Sequence, residues 1–138
     1  MRCDDKLGGM PTLEETALRS RRDPQSGLLI EVLRVPPGCA HRSRSGDTLR
    51  VHYNGTLDNG DQFDSNHGRG AFGFILGSGQ VIGGWEDGLQ GMCVGERRRL
   101  TVPPALAYGD RGNRAVPGKA TLTFTVQLEG MRRDRQEL

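Results

Sequence analysis

Residues 72–89, FGFILGSGQVIGGWEDGL, decide the fold of this chain. They open on an extended apolar segment, Phe72 to Leu76, cross a glycine-rich turn, and enter the best helix candidate of the core, GGWEDGLQ at 83–90. That helix must be short, because Gly88 weakens its interior and Gly91 follows it. It carries the chain's single tryptophan, Trp85. All seven aromatic residues fall between positions 53 and 124, in a chain only 5% aromatic, and such confinement points to a site as well as a core.

The segments around this stretch read as strands. Leu49, Val51 and Tyr53 alternate with Arg50, His52 and Asn54, the period of a strand with one buried face, and Asp58-Asn59-Gly60 supplies a tight turn after it. A returning strand begins within residues 61–65, is interrupted by SNHGRG (65–70), and resumes at FGFIL (72–76), as a bulged or split strand does. LLIEVLRV ends at Pro36-Pro37-Gly38 and reads as a strand closed by a turn, and Arg97 to Pro103 as another. Leu122, Phe124, Val126 and Leu128 alternate with Thr121, Thr123, Thr125 and Gln127. Several strands with one short core helix indicate an α+β domain whose antiparallel sheet wraps something small.

A length of 138 residues fits one domain with a single core. The composition, 34% hydrophobic and 26% charged, is polar, with the apolar residues concentrated after residue 28. Residues 1–26 are therefore expected to be a tail, although Thr12 and Glu15 match a capping box that would open a short helix through TLEETALRSRR (12–22). Residues 27–130 form the domain and 131–138 a second tail. A net charge of +2 does not demand a polyanionic partner, and the arginines 97–99 read as a solvated face. His41, His52 and His67 lack metal-ligand spacing, and the glycines of 77–84 do not form a phosphate cradle, so no metal or cofactor is expected. No apolar run would span a bilayer, and no secretory leader is read in residues 1–26.

Taken in order, Tyr53, Phe63-Asp64, Val81-Ile82 before Trp85, Ala107-Tyr108-Gly109 and Phe124 closely resemble the FKBP family of peptidyl-prolyl cis-trans isomerases, the rapamycin-binding immunophilins. The resemblance covers roughly residues 28–130. It implies a twisted antiparallel sheet of five to six strands curled around one short α-helix. It also implies isomerisation of Xaa-Pro bonds during protein folding, inhibition by macrolides of the rapamycin class, and a monomer acting on proline-containing polypeptides. The alternative is a protein-interaction module that keeps the pocket with little activity.

By the same resemblance Trp85 is the pocket floor, with Tyr53, Phe63, Phe72 and Phe124 as walls and Val81 and Ile82 as one rim. The Ile82 N–H would donate to a ligand carbonyl, Tyr108 would offer its hydroxyl, and Asp64 would point a carboxylate inward near Arg69 and Tyr53. Val116 would lie on the flap after Tyr108. Ala115 stands where the family often carries a larger aliphatic residue, and Asn113-Arg114 falls in a variable loop, which bears on ligand selectivity. Cys39 and Cys93 match a disulfide of the family's luminal branch, leaving Cys3 unpaired. With the C-terminal Arg-Gln-Glu-Leu, similar to retrieval signals, they imply the lumen of the endoplasmic reticulum; the lack of a readable leader leaves the cytoplasm as the alternative.

Overall fold

The computed structural model describes residues 17–133. Its strands are β1 (Arg19–Arg22), β2 (Leu29–Arg34), β3 (Asp47–Leu57), β4 (Gln62–Ser65), β5 (Phe72–Ile75), β6 (Arg97–Val102) and β7 (Leu122–Arg133). One helix, α1 (Gly83–Gly88), lies between β5 and β6, and a 3-10 turn, Pro104–Leu106, follows β6. The seven strands form one antiparallel sheet in the order β1-β2-β6-β7-β3-β4, with β5 also pairing β3. The split returning strand is thus β4 and β5, both hydrogen-bonded to β3.

The period-two patterns set the register. β3 and β7 pair along their length, placing Tyr53 opposite Val126 and Gly55 opposite Phe124. Leu49 and Val51 of β3, Leu100 and Val102 of β6, and Leu122, Phe124, Val126 and Leu128 of β7 are buried in one core. α1 packs on this face. Gly84 and Gly88, four residues apart, lie on the same side of the helix. A Cβ on Gly84 would stand 2.5 Å from Val102 Cγ1, and one on Gly88 would stand 2.8 Å from Leu100 Cδ1. The glycines that weaken the helix locally are what let it approach β6.

Three departures from the sequence reading are structural. First, the described residues form seven strands because residues 19–22, read as tail or helix, form β1, pairing with β2 from Arg19 opposite Val32 to Arg22 opposite Leu29. Its four side chains are all exposed, so backbone pairing forms a strand that no hydrophobic period announces. Second, β7 runs on to Arg133, past the expected tail boundary at 131, because Arg133 donates to both carboxylate oxygens of buried Asp47, each at 2.8 Å. The capping box at Thr12 and Glu15, Cys3 and the terminal Arg-Gln-Glu-Leu lie outside the described residues.

Third, Arg98 is buried instead of solvated. Its Nε donates to Glu96 Oε2 at 2.6 Å, and its terminal nitrogens donate to the carbonyls of Gly88, Gln90 and Gly91 at 2.7–3.0 Å. A helix leaves its last carbonyls without internal partners, and here the guanidinium takes them. Its neighbours keep to the expected face: Arg99 pairs Glu31 through two hydrogen bonds of 2.8 and 3.0 Å, and Arg97 bonds Gln127.

Cys39 and Cys93 form a disulfide across a sequence separation of 54, in line with the luminal-branch resemblance. Beside it, backbone bonds join Ser43 N to the Met92 carbonyl and Gly91 N to the Ser43 carbonyl, both 2.8 Å. On a chain-entropy estimate such a cross-link contributes about 4 kcal/mol. Thiol titration in denaturant without reductant should therefore count one free thiol per chain, rising to three after reduction; three before reduction would rule out the bridge. A Gly84→Ala variant should lose roughly 1–3 kcal/mol in urea unfolding, the cost of overpacking a filled core.

Candidate functional site

Trp85 is the third residue of α1, on the side packed against the sheet, with only 4% of its surface exposed. Four rings surround it. Tyr53 of β3 meets it edge-on at 5.1 Å between centroids and Phe124 of β7 at 5.4 Å, with Phe74 and Phe72 of β5 at 5.7 and 6.2 Å. Edge-to-face contacts suit the quadrupoles of such rings and hold the indole in one orientation. Above it opens a cavity of about 360 Å³. The elements that build it are the ones the register had already placed: adjacent strands deliver Tyr53 and Phe124 on the core face, and the helix delivers the floor.

The expected site residues divide into two groups. Tyr53, Asp64, Phe72, Val81, Ile82, Trp85, Tyr108 and Phe124 line the cavity. Phe63, Arg69 and Val116 do not. Phe63 lies behind the wall, edge-on to Phe124 at 5.5 Å. That packing requires Gly55, where a Cβ would fall 2.8 Å from Phe63 Cζ and 2.9 Å from Phe124 Cε1. Val116 is 2% exposed and joins the hydrophobic core, because its loop folds inward. Asn113 turns that loop: its Oδ1 accepts the N–H groups of Ala115 and Val116, both at 2.9 Å. Ala115 is exposed and off the lining.

The polar groups are few and differ in what they have left to offer. Tyr53 donates its hydroxyl to Asp64 Oδ2 at 2.9 Å, and Asp64 Oδ1 accepts the Ser65 N–H at 2.8 Å. Arg69 contributes less than its sequence position suggested. Its guanidinium bonds the Ser65 carbonyl and stands 3.9 Å from Asp64 Oδ1, both side chains being well exposed, so solvent screens the pair. The Tyr108 hydroxyl and the Ile82 N–H have no acceptor among the described residues. Both face an open cavity with a donor unspent.

Two residues that shape the rim, one lining it and one behind it, escaped the sequence reading. Gln80 lines the cavity while its Oε1 accepts the Ile75 N–H at 2.8 Å. Glu86, from the first turn of α1, accepts the N–H groups of Gly77 and Gly79 through its two carboxylate oxygens. These bonds tie the turn that carries Val81 and Ile82 to the helix that carries Trp85. An exposed glutamine and a helical glutamate read as solvent-facing by default; only the tertiary placement of the turn shows their use.

Burial pushes the Tyr53 phenol up to about 12, reinforced by its bond to Asp64. Tyr108 is also raised, by burial first and then by the Asp64 charge. A raised value means the fold holds the phenolic proton more tightly than the unfolded chain does. The associated stability is complete below the ordinary tyrosine value near 10 and is lost as pH climbs through about 12 for Tyr53. Ultraviolet titration of the folded protein should show Tyr53 protonated at pH 10, where unfolded chains are half ionised, and Tyr108 ionising at higher pH than in the unfolded chain; a normal titration of both would mean that the site is not assembled in solution.

The sequence profile described as FKBP-type peptidyl-prolyl cis-trans isomerase matches residues 39–129. The chain is 48% identical over 116 residues to FK506-binding protein 2 of Dictyostelium discoideum, covering 83% of this chain and 87% of that one. It is 49% identical over 127 residues to FK506-binding protein 2B of Rhizopus delemar, covering 88% of this chain and 61% of that protein. Against peptidyl-prolyl cis-trans isomerase FKBP9 of Mus musculus it is 46% identical over 115 residues, 83% of this chain but 20% of the relative. The fold superposes on the crystal structure of AtFKBP13 with a TM-score of 0.71 at 34% identity, covering 81% of this chain and 98% of that one.

Proposed function

The chain belongs to the FKBP-type peptidyl-prolyl cis-trans isomerase family, and on that premise we propose that it accelerates rotation about Xaa-Pro bonds in polypeptides, within the cavity floored by Trp85. The observation that carries this reading is the enclosure of the indole by four rings with two unspent donors, the Ile82 N–H and the Tyr108 hydroxyl, at the rim. Whole relatives such as the mouse protein are far longer than this chain, which corresponds to about a fifth of that one.

The chemistry asks little of side-chain reactivity. Resonance gives the amide C–N bond a rotation barrier of roughly 18–20 kcal/mol, and an uncatalysed Xaa-Pro bond takes tens to hundreds of seconds to flip. At the twisted midpoint the conjugation is lost and the amide is less polar, so a dry aromatic cavity favours it over the planar ground state. The prolyl ring rests on Trp85, the Ile82 N–H fixes a carbonyl beside it, and Tyr108 holds a second acceptor, leaving the twist as the free coordinate. No nucleophile or proton transfer is required. Lowering the barrier by about 6 kcal/mol would raise the rate on the order of 10⁴-fold.

Asp64 braces this arrangement by fixing the Tyr53 ring through its hydroxyl. Proline-containing polypeptides and macrolides of the rapamycin class are the ligands the cavity would accept. We propose that it acts as a monomer, as the family resemblance implies. The Cys39–Cys93 bridge supports residence in an oxidising compartment, for which we propose the lumen of the endoplasmic reticulum.

A protease-coupled assay on a Leu-Pro peptide, with rapamycin as competitor, tests the function. We expect Trp85→Leu to reduce kcat/KM at least tenfold and Asp64→Asn several-fold, with both variants folded by circular dichroism. Rapamycin binding without turnover would replace the enzyme with a pocket-bearing interaction module, and an Asp64→Asn variant equal to wild type in rate and rapamycin affinity would remove the bracing role.

A further inference from the structure

Past the carboxyl end of α1 lies a second cavity, of about 310 Å³, between the helix exit and the edge strand β1. Ile30 and Val32 of β2 form its apolar floor, Gln90 and Arg98 its helix-side wall, and Arg19, Ser20 and Arg21 of β1 its outer wall. We propose that this cleft binds an acidic polypeptide segment in extended conformation, with carboxylates at alternate positions facing Arg19 and Arg21.

Charge is the first argument. Arg19 and Arg21 are exposed and form no hydrogen bond or close ion pair with a described side chain, the Asp23 carboxylate attracting Arg21 only at longer range. Arg98 closes the cleft on the helix side, its own guanidinium already paired with Glu96. The carboxylates nearby are already committed. Glu96 is fully buried and takes Arg98 Nε and the Cys93 N–H, while Asp23 takes the N–H groups of Gln25 and Ser26 at 2.9 and 3.4 Å. Burial holds the Arg98 guanidinium below its usual range, Glu96 pulls it back up, and the charges of Arg19 and Arg21 add to the lowering. The cleft thus concentrates like charge that an anion would relieve.

Geometry selects the kind of anion. Arg19 and Arg21 sit two residues apart on one face of a strand, a spacing of roughly 6.6–6.8 Å that recurs between alternate side chains of any extended peptide. Ile30 and Val32, directly opposite Arg21 and Arg19 in the register, share their face and give the methylenes of the acidic side chains an apolar surface. A duplex nucleic acid would need a longer basic track, and the neighbouring arginines on the sheet are engaged, Arg99 with Glu31 and Arg97 with Gln127. The cleft shares no lining residue with the Trp85 cavity. Its occupancy is therefore separable from isomerase activity.

The test uses the full chain and a fluorescent, proline-free probe peptide, Glu-Val-Glu-Val-Glu-Val, followed by anisotropy at low salt, beside its Gln-for-Glu counterpart. We expect the acidic peptide to bind and the glutamine peptide to bind far more weakly. Arg19→Gln combined with Arg21→Gln should weaken the acidic peptide roughly five- to tenfold, the size of losing two exposed charge contacts. The double lysine variant should restore most of the affinity. Because both side chains are exposed, the glutamine variant should keep wild-type Tm and isomerase rate, and saturating rapamycin should leave peptide binding unchanged. Equal affinity for the two peptides, an unaffected glutamine variant, displacement by rapamycin, or equal competition by duplex DNA of matched charge would each overturn the proposal.

Discussion

The seat of α1 on β6 is the constraint from which the site follows. A six-residue helix has too few internal hydrogen bonds to hold itself in place, and here two contacts fix it from outside. The absent side chains of Gly84 and Gly88 admit Val102 and Leu100, and Arg98 gathers the carbonyls at the helix exit. Arg98 is itself affordable in the interior only because Glu96 lies 2.6 Å away. Removing one member of a buried pair of this kind costs roughly 3–5 kcal/mol, since the other is left charged and dry. Shift the helix and Trp85 leaves the centre of its rings.

The two tyrosines of the cavity differ in what their hydroxyls touch. Tyr53 bonds its hydroxyl to Asp64 and forms a fixed wall, whereas the Tyr108 hydroxyl has no hydrogen-bond partner among the described residues. The same division holds along the rim, where Glu86 consumes the N–H groups of Gly77 and Gly79 while the N–H of Ile82 stays open. Rigid parts thus surround a small number of available donors, as a site that orients an amide without reacting with it requires.

What the sequence revealed was what side-chain periodicity encodes. The alternation through Leu49, Val51 and Tyr53 and through Leu122, Phe124 and Val126 placed β3 and β7 and the rings they carry. The ordered aromatic motifs identified the floor and most of the lining. Features that depend on backbone or on distant partners stayed hidden. β1 has four exposed side chains and is a strand only because β2 pairs with it. Arg98 sits in a run of three arginines, where nothing local distinguishes the one that turns inward. Phe63 and Val116 carry the right motif positions but pack behind the cavity, a difference of depth that a linear pattern does not contain.

The bridge between Cys39 and Cys93 encloses β3, β4, β5 and α1, and with them most of the cavity wall, while β7 and the Tyr108 loop remain outside the ring. Mechanically the enclosed stretch is invisible to tension: a force applied at the two ends passes through the sulfur atoms and bypasses the 54-residue separation. At roughly 3.4 Å per extended residue, about 180 Å of contour is withheld from stretching. A threading unfoldase pulling this protein through a narrow pore would have to admit the loop as parallel strands abreast, or wait for a reductant to open it.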